Sequence, residues 1–148
     1  MENLGAILAD SGRLMRRAFD ARARSVGVTR PQWQVLTTLQ RSQGLNQAAL
    51  ADQLEVEPIT VCRMVDRLQD AGLVERQADP GDRRSWRLYL TANAESLLSQ
   101  LRPLAEAVVE EALVGLGPEE RDALRAGLER IRENLSRRPA DSARLVNG

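Results

Sequence analysis

The sequence predicts a mainly α-helical fold with one small β-hairpin, and three observations support this. Aromatic residues make up only 3% of the 148 residues, so aliphatic side chains must supply the core. Apolar residues recur at the helical period over most of the chain. The period changes to two only between Leu73 and Leu90, where the turn-forming residues 79–82 separate two short strands.

Two helices are predicted in the first third of the chain. Residues 4–19 form an amphipathic helix, and Ser25-Val26-Gly27-Val28 ends it. Thr29 and Gln32 have the spacing of a capping box, with Pro31 in the first turn, so a second helix begins there. The larger apolar residues of this helix, which lie on one side of it, are Trp33, Leu36 and Leu39. The run Ser42-Gln43-Gly44 ends the helix.

A third and a fourth helix follow at close spacing. Asn46 is a good N-cap for the short third helix, and Leu45 and Leu50 occupy the hydrophobic-staple positions. Pro58 suits the first turn of the fourth helix, and Gly72 with the following Leu is typical of a Schellman C-cap. The core stripe of the fourth helix is regular and comprises Val61, Met64, Val65 and Leu68. The pair has the proportions of a helix-turn-helix.

The rest of the chain adds a wing and two long helices. A hairpin of residues 73–78 and 86–90 has a polar tip that ends in Arg83-Arg84, so the centre is predicted to be a winged helix-turn-helix. Thr91 caps a fifth helix, in which Pro103 should cause a bend. A sixth helix begins near Pro118, and residues 137–148 lack periodicity and are predicted to be a flexible tail.

The outer helices carry more apolar surface than the small centre can cover. We therefore predict a single domain over residues 1–136, whose central lobe is about 29–91 and whose dimerisation helices are about 2–25 and 91–136. An apolar stripe left exposed indicates a partner, and a second copy is the simplest one. A homodimer built by helices from both termini is the expectation.

The residue inventory argues against an enzyme. The chain has no His, and Cys62 is its only Cys, which excludes a His/Cys zinc site, a Ser-His-Asp triad and an intramolecular disulfide. We expect no cofactor and no metal. No apolar run approaches the roughly 20 residues that span a bilayer, and residues 1–10 do not resemble a secretory signal, so a cytoplasmic location is expected.

The outer face of the fourth helix suits DNA. A recognition helix presents its N-terminal residues to base edges in the major groove. Arg63 can fork onto a guanine, Thr60 can bond a base or a phosphate, and Ile59 can touch a thymine methyl, with Cys62 on the flank. The alternative is a solvated helix face with a salt bridge from Asp66 or Arg67.

All 21 cationic residues are Arg, but a GC-rich coding bias also explains this, so the positions of the arginines are more informative than their number.

The predicted wing tip is the more informative feature. Asp82, Arg83 and Arg84 lie at the end of a hairpin whose strands are held by Trp86, Leu88 and Leu90. Asp82 can hold one guanidinium while the other enters a minor groove or meets a phosphate. An exposed charged turn is the alternative, and it is less attractive here because the hairpin follows a helix-turn-helix.

Residues 56–91 strongly resemble the MarR (multiple antibiotic resistance regulator) family of bacterial transcription factors. The resemblance rests on the runs MVDRL (64–68), AGLVER (71–76), DRR (82–84) and LYLT (88–91) at this spacing. It extends over the helix order from Leu4 to Leu135 and is closest to the branch with SlyA-like wings. It implies a sequence-specific DNA-binding transcriptional regulator, expected to be a ligand-responsive repressor, that binds a pseudo-palindromic operator in double-stranded DNA as a homodimer.

The resemblance also implies roles for single residues. Thr60, Cys62 and Arg63 match base- and phosphate-contacting positions, Arg84 matches the minor-groove arginine, Asp82 its bracing acid, and Arg83 a phosphate contact. Two departures are Cys62, where Ser or Thr is usual, and Trp86, where a small or basic residue is common.

A small aromatic or phenolic anion is the effector that the resemblance implies. Trp33 and Arg17 are candidates to line its site, and ordinary core packing is the alternative for Trp33. Some relatives sense oxidants through a Cys in the first helix, which this chain lacks. For Cys62 a small side chain near a phosphate is the simpler interpretation.

The rival function is a winged-helix protein-interaction module without DNA binding. A wing that docks protein has no need of guanidinium groups at its tip, so the arrangement of Arg63 and Arg84 favours the DNA-binding regulator.

Overall fold

The computed structural model describes Met1 and residues 3–136, and its elements follow the predicted order. The chain divides into two compact units, one from Met1 to Val109 and one that begins at Glu110. In the described part no helix is both long and apolar enough to cross a membrane. The elements are α1 (Leu4–Ser25), α2 (Arg30–Arg41), β1 (Leu45–Asn46), α3 (Gln47–Leu54), α4 (Pro58–Asp70), β2 (Val74–Asp79), β3 (Asp82–Leu90), α5 (Ala92–Ala112) and α6 (Pro118–Ser136).

The predicted helix starts at Thr29 and Asn46 are confirmed by their capping bonds. The Thr29 hydroxyl accepts the backbone N–H of Gln32 at 3.4 Å, while the Gln32 side chain accepts the backbone N–H of Thr29 at 2.9 Å. The Asn46 side chain accepts the N–H of Ala49 at 2.8 Å. Each bond satisfies a donor that the first helical turn leaves unpaired, which fixes where α2 and α3 begin.

Aliphatic side chains form the core of the first unit, as the composition predicts. The predicted stripe of α4 is confirmed, since Val61, Val65 and Leu68 are buried and Met64 packs at the edge of the core. The largest fully buried side chains from other elements are Val35, Leu36, Leu39, Leu50, Val74 and Leu88. Because α4 buries one stripe, its opposite face is left to solvent.

A Schellman motif ends α4 and sets the direction of the wing. Gly72 has a φ of +74°, which glycine adopts without strain. Its N–H donates to the Gln69 carbonyl at 2.9 Å, and the N–H of Leu73 donates to the Leu68 carbonyl at 2.9 Å. The hydroxyl of Thr91 donates to the Gly72 carbonyl at 2.6 Å, so the base of the hairpin is tied to the start of α5.

The sheet has three strands in the order β1-β3-β2, all antiparallel, rather than the predicted hairpin alone. The third strand is β1, where Leu45 pairs with Leu88. Gly44 extends the contact by donating its N–H to the Leu88 carbonyl at 2.9 Å. A strand of two residues has no periodicity to recognise, and the sequence indicated only the start of α3 there.

α5 is one continuous helix through Pro103, which is tolerated inside it. The predicted bend at Pro103 stays a prediction, and the predicted tail lies outside the described residues. In the second unit, the Arg121 side chain closes the turn between α5 and α6 by donating to the carbonyls of Leu113 at 3.2 Å and Leu116 at 3.0 Å. No described residue of α6 is buried by its own chain.

Candidate nucleic-acid interface

The outward face of α4 begins at its N-terminus. Ile59 is 61% exposed, and Thr60 and Arg63 are also exposed, because the opposite side of the helix carries the core stripe. Glu57 is the N-cap residue but makes no capping bond through its side chain. Arg63 forms no ion pair with any residue that the structure describes, so its guanidinium is available to an external anion.

Cys62 lies on the flank of α4 and is turned toward the wing. It is half-buried, and its Sγ is 3.9 Å from Nη2 of Arg76. The same nitrogen donates to the Cys62 carbonyl at 3.3 Å. Cys62 is therefore less accessible than Thr60 or Arg63, and its predicted contact with DNA stays a prediction.

Arg76 on β2 is the principal residue of the site that the sequence did not indicate. Its side chain is only 15% exposed and bridges three elements. Nε donates to the Gln47 side chain on α3 at 2.8 Å, Nη1 donates to the Gln69 side chain on α4 at 2.8 Å, and Nη1 pairs with Asp66 at 2.7 Å. The guanidinium thus fixes the wing against the helix-turn-helix. The sequence offers no local signal for this role, because the neighbours of Arg76 in the strand, Glu75 and Gln77, are polar as well.

The tip of the wing is tighter than the predicted four-residue turn. Only Pro80 and Gly81 lie outside the strands, and the Asp79 carboxylate accepts the N–H of Gly81 at 2.9 Å. That bond, with help from the Arg87 guanidinium 3.5 Å away, holds the pKa of Asp79 below its usual value. The turn is therefore stabilised by its own side chain, as Asx turns are.

A register shift exposes the two arginines of the wing. Ala78 pairs with Trp86, but the next residue, Asp79, pairs with Asp82. Residues 83–85 thus have no partner on β2 and bulge from the strand. Arg83 and Arg84 are exposed and form no ion pair within the described residues. β-bulges redirect side chains in this way, and here the redirected groups are cations.

Asp82 acts on the backbone rather than on a guanidinium. Its carboxylate accepts the backbone N–H of Arg84 at 2.9 Å, and no ion pair joins it to Arg83 or Arg84 in the described part of the chain. The expectation that Asp82 holds a guanidinium is therefore corrected. It shapes the bulge and leaves both cations free.

Trp86 does not hold the hairpin in the way its alternation with Leu88 and Leu90 predicted. Leu88 is fully buried and Leu90 is partly buried, whereas Trp86 is 46% exposed. The alternation identified the correct face of the strand. It did not show where along the strand the helices stop burying this face, which is before Trp86.

The two candidate effector residues, Trp33 and Arg17, lie in different surroundings: Trp33 is packed in the protein and Arg17 is exposed. The Trp33 indole packs edge-on against Phe19, with ring centroids 4.9 Å apart, and donates to the buried Asp20 carboxylate at 2.7 Å. Arg30 pairs with the other oxygen of Asp20. Burial raises the pKa of Asp20, but the bonds from Arg30 and Trp33 outweigh it and hold that pKa below its usual value. Trp33 therefore packs within the protein, as the alternative interpretation expected, and its contact with a ligand stays a prediction.

Comparison with known proteins agrees with this architecture. The family model described as MarR family matches residues 28–86. The transcriptional regulator PA3341 is 33% identical, with a TM-score of 0.76 over 92% of this chain and 100% of that one. A MarR transcriptional regulator from Methanosarcina mazei Go1 is 28% identical, with a TM-score of 0.78 over 88% and 94%. A mutant MarR from E. coli, solved in complex with operator DNA, is 24% identical, with a TM-score of 0.71 over 86% and 92%. The chain belongs to the MarR family of transcriptional regulators.

Proposed function

We propose that the protein is a sequence-specific DNA-binding regulator that binds a pseudo-palindromic operator as a homodimer. The observation that carries the proposal is that three guanidinium groups in the chain's winged centre are exposed and form no ion pair within the described residues: Arg63 on α4, and Arg83 and Arg84 on the wing bulge. Guanidinium groups bind phosphates and guanine edges with two parallel hydrogen bonds. The similar E. coli MarR variant complexed with operator DNA supports the same assignment.

The two elements contact different parts of the duplex in this proposal. The N-terminal residues of α4 enter the major groove, where Arg63 reads a base and Ile59 and Thr60 contact a thymine methyl and a base or phosphate. The wing lies beside it, with Arg84 in the minor groove and Arg83 at a phosphate. Cys62 borders this surface, and Asp82 sets the backbone of Arg84.

The apolar surface of the outer helices supports the homodimer. In α6 three residues of the predicted stripe are exposed, with Leu135 at 81% and Leu124 and Leu128 at lower values. In α1, Leu4 and Leu14 are exposed as well. Burying such side chains against a second copy is favourable, at about 25 cal/mol per Å² of apolar area. Light scattering should give twice the chain mass of 16.4 kDa, and a folded monomer at micromolar concentration contradicts the dimer.

Arginine variants test DNA binding. Fluorescence anisotropy with operator fragments selected from random DNA should show weaker binding for Arg63→Ala, by about 1–3 kcal/mol, and a relaxed preference at one base position. Arg84→Ala should weaken binding with nearly unchanged thermal stability, since its side chain is exposed. For Arg84→Ala the slope of log affinity against log salt should become shallower by about one unit per lost phosphate contact, or by less if Arg84 only inserts into the groove.

Matched controls separate DNA contact from general charge loss. Arg102→Ala removes one exposed cation from α5 and should leave affinity unchanged. Asp82→Ala should weaken binding less than Arg84→Ala, because Asp82 shapes the bulge without touching DNA. If Arg63→Ala and Arg84→Ala both bind like the parent at every salt concentration, neither residue contacts DNA. If the parent itself binds none of the DNA, the protein-interaction module becomes the better assignment.

Repression and response to a small aromatic or phenolic anion complete the proposal, on the strength of the family resemblance. An effector that accepts a hydrogen bond from the Trp33 indole N–H competes with Asp20 for it. Adding a hydroxybenzoate to the preformed complex should then release DNA. Unchanged anisotropy up to millimolar concentrations of a hydroxybenzoate series contradicts this part of the proposal and leaves DNA binding standing.

A further inference from the structure

Trp86 is a large apolar side chain on the wing that the predicted DNA contacts do not use. It is 46% exposed and forms, with Ala78, the last regular pair of the β2–β3 ladder before the register shift. The fold gains little from an indole held in water, since most of the benefit of such a side chain comes from its burial. Its position in the sheet indicates what covers it.

The register places Trp86 on the face of the hairpin that contacts α4. Trp86 pairs with Ala78, and two residues along each strand Leu88 pairs with Arg76. Alternate residues of a strand point to the same face, so Trp86 shares a face with Leu88 and Arg76. Leu88 is buried in the core, and Arg76 reaches Cys62, Asp66 and Gln69 on α4. Trp86 therefore faces the α4 side of the hairpin.

Trp86 also lies between the helix contacts and the wing tip. It is two cross-strand pairs, about 7 Å, nearer the tip than the Arg76–Leu88 pair. On its other side the strand leads directly into the bulge that holds Arg83 and Arg84. The indole thus lies between the recognition helix α4, which carries Arg63, and the wing bulge, which carries Arg83 and Arg84.

We propose that Trp86 packs against the sugar–phosphate backbone of the DNA strand that passes between the groove occupied by α4 and the groove occupied by the wing. This inference rests on the proposed function and adds to it an uncharged contact. Deoxyribose offers an apolar surface for the indole ring, and the indole Nε1–H is a donor suited to a phosphate oxygen. A backbone contact positions the protein without reading a base.

The chemistry of this contact gives it a distinct signature in a salt series. Trp86→Ala should lower operator affinity about tenfold, since it removes apolar burial. It removes no charge, so the slope of log affinity against log salt should stay that of the parent, unlike the shallower slope expected for Arg84→Ala. Trp86→Phe keeps a ring and loses the Nε1–H donor, so it should lie between Trp86→Ala and the parent.

A second measurement observes Trp86 directly. The chain has two Trp residues, and Trp33 is half-buried against Phe19. The difference in acrylamide quenching between the parent and Trp86→Phe isolates the signal of Trp86. In the free protein this signal should be readily quenched, and saturating operator DNA should protect it.

Each outcome decides the question. Tenfold weaker binding at an unchanged slope, with protection on DNA, supports the contact. Parental affinity of Trp86→Ala without protection overturns it while leaving the proposed function intact. Protection already present in the free protein overturns it in favour of cover by another part of the dimer. If the parent binds no DNA in the anisotropy assay, the proposed function itself fails, and the contact fails with it.

Discussion

Replacing Arg76 by Ala should destabilise the protein and weaken DNA binding together. The side chain is 15% exposed and donates hydrogen bonds to Gln47, Gln69 and the Cys62 carbonyl, besides pairing with Asp66. Breaking a network of this kind typically costs about 2–4 kcal/mol of unfolding free energy. DNA affinity should fall as well, because Arg76 fixes the wing relative to α4. Urea denaturation at matched protein concentration and anisotropy with operator DNA measure the two effects.

Asp66→Ala is the matched control for Arg76→Ala. The Asp66 side chain is 55% exposed, so solvent screens its ion pair, and its removal should cost less than about 1 kcal/mol. A double variant at both positions should be little less stable than Arg76→Ala alone, since the pair shares one interaction. This role of Arg76 is contradicted if Arg76→Ala is no less stable than Asp66→Ala, or if it loses stability while its operator affinity matches the parent.

Two further predictions concern the first unit. The lowered pKa of Asp20 means that its contribution to stability is complete above the unfolded-state pKa near 3.8 and is lost as the pH falls through the lower folded-state value. Asp20→Asn should cost about 1–2 kcal/mol at pH 7 and flatten the acid limb of the stability curve measured by urea denaturation, and an unchanged limb argues against this role. Gly44→Ala should lower the melting temperature, since φ is +81° and a Cβ would lie 3.0 Å from the Tyr89 hydroxyl oxygen. Tyr89→Phe in that background should recover only part of the loss, and full recovery indicates that the backbone is not strained.

Local patterns were sufficient to predict most of the fold. The capping residues Thr29 and Asn46 and the C-cap at Gly72 act within a few residues of sequence, so they set element ends before any tertiary contact forms. The stripe on α4 likewise determined which face is buried, and therefore that Arg63 faces outward. These features depend on neighbours three to five positions away, which a sequence displays directly.

The site depended on contacts that a sequence does not display. Arg76 meets Gln47 from 29 positions away, and nothing local distinguishes this buried Arg from an exposed one. The register shift that frees Arg83 and Arg84, and the exposure of Trp86, follow from how β2 aligns with β3 and from where α4 stops covering the sheet. Caps and periodicity are short-range, so the sequence is enough to predict the elements and their buried faces. Which polar groups are paired and which are left free depends on the tertiary fold, because their partners lie far away along the chain.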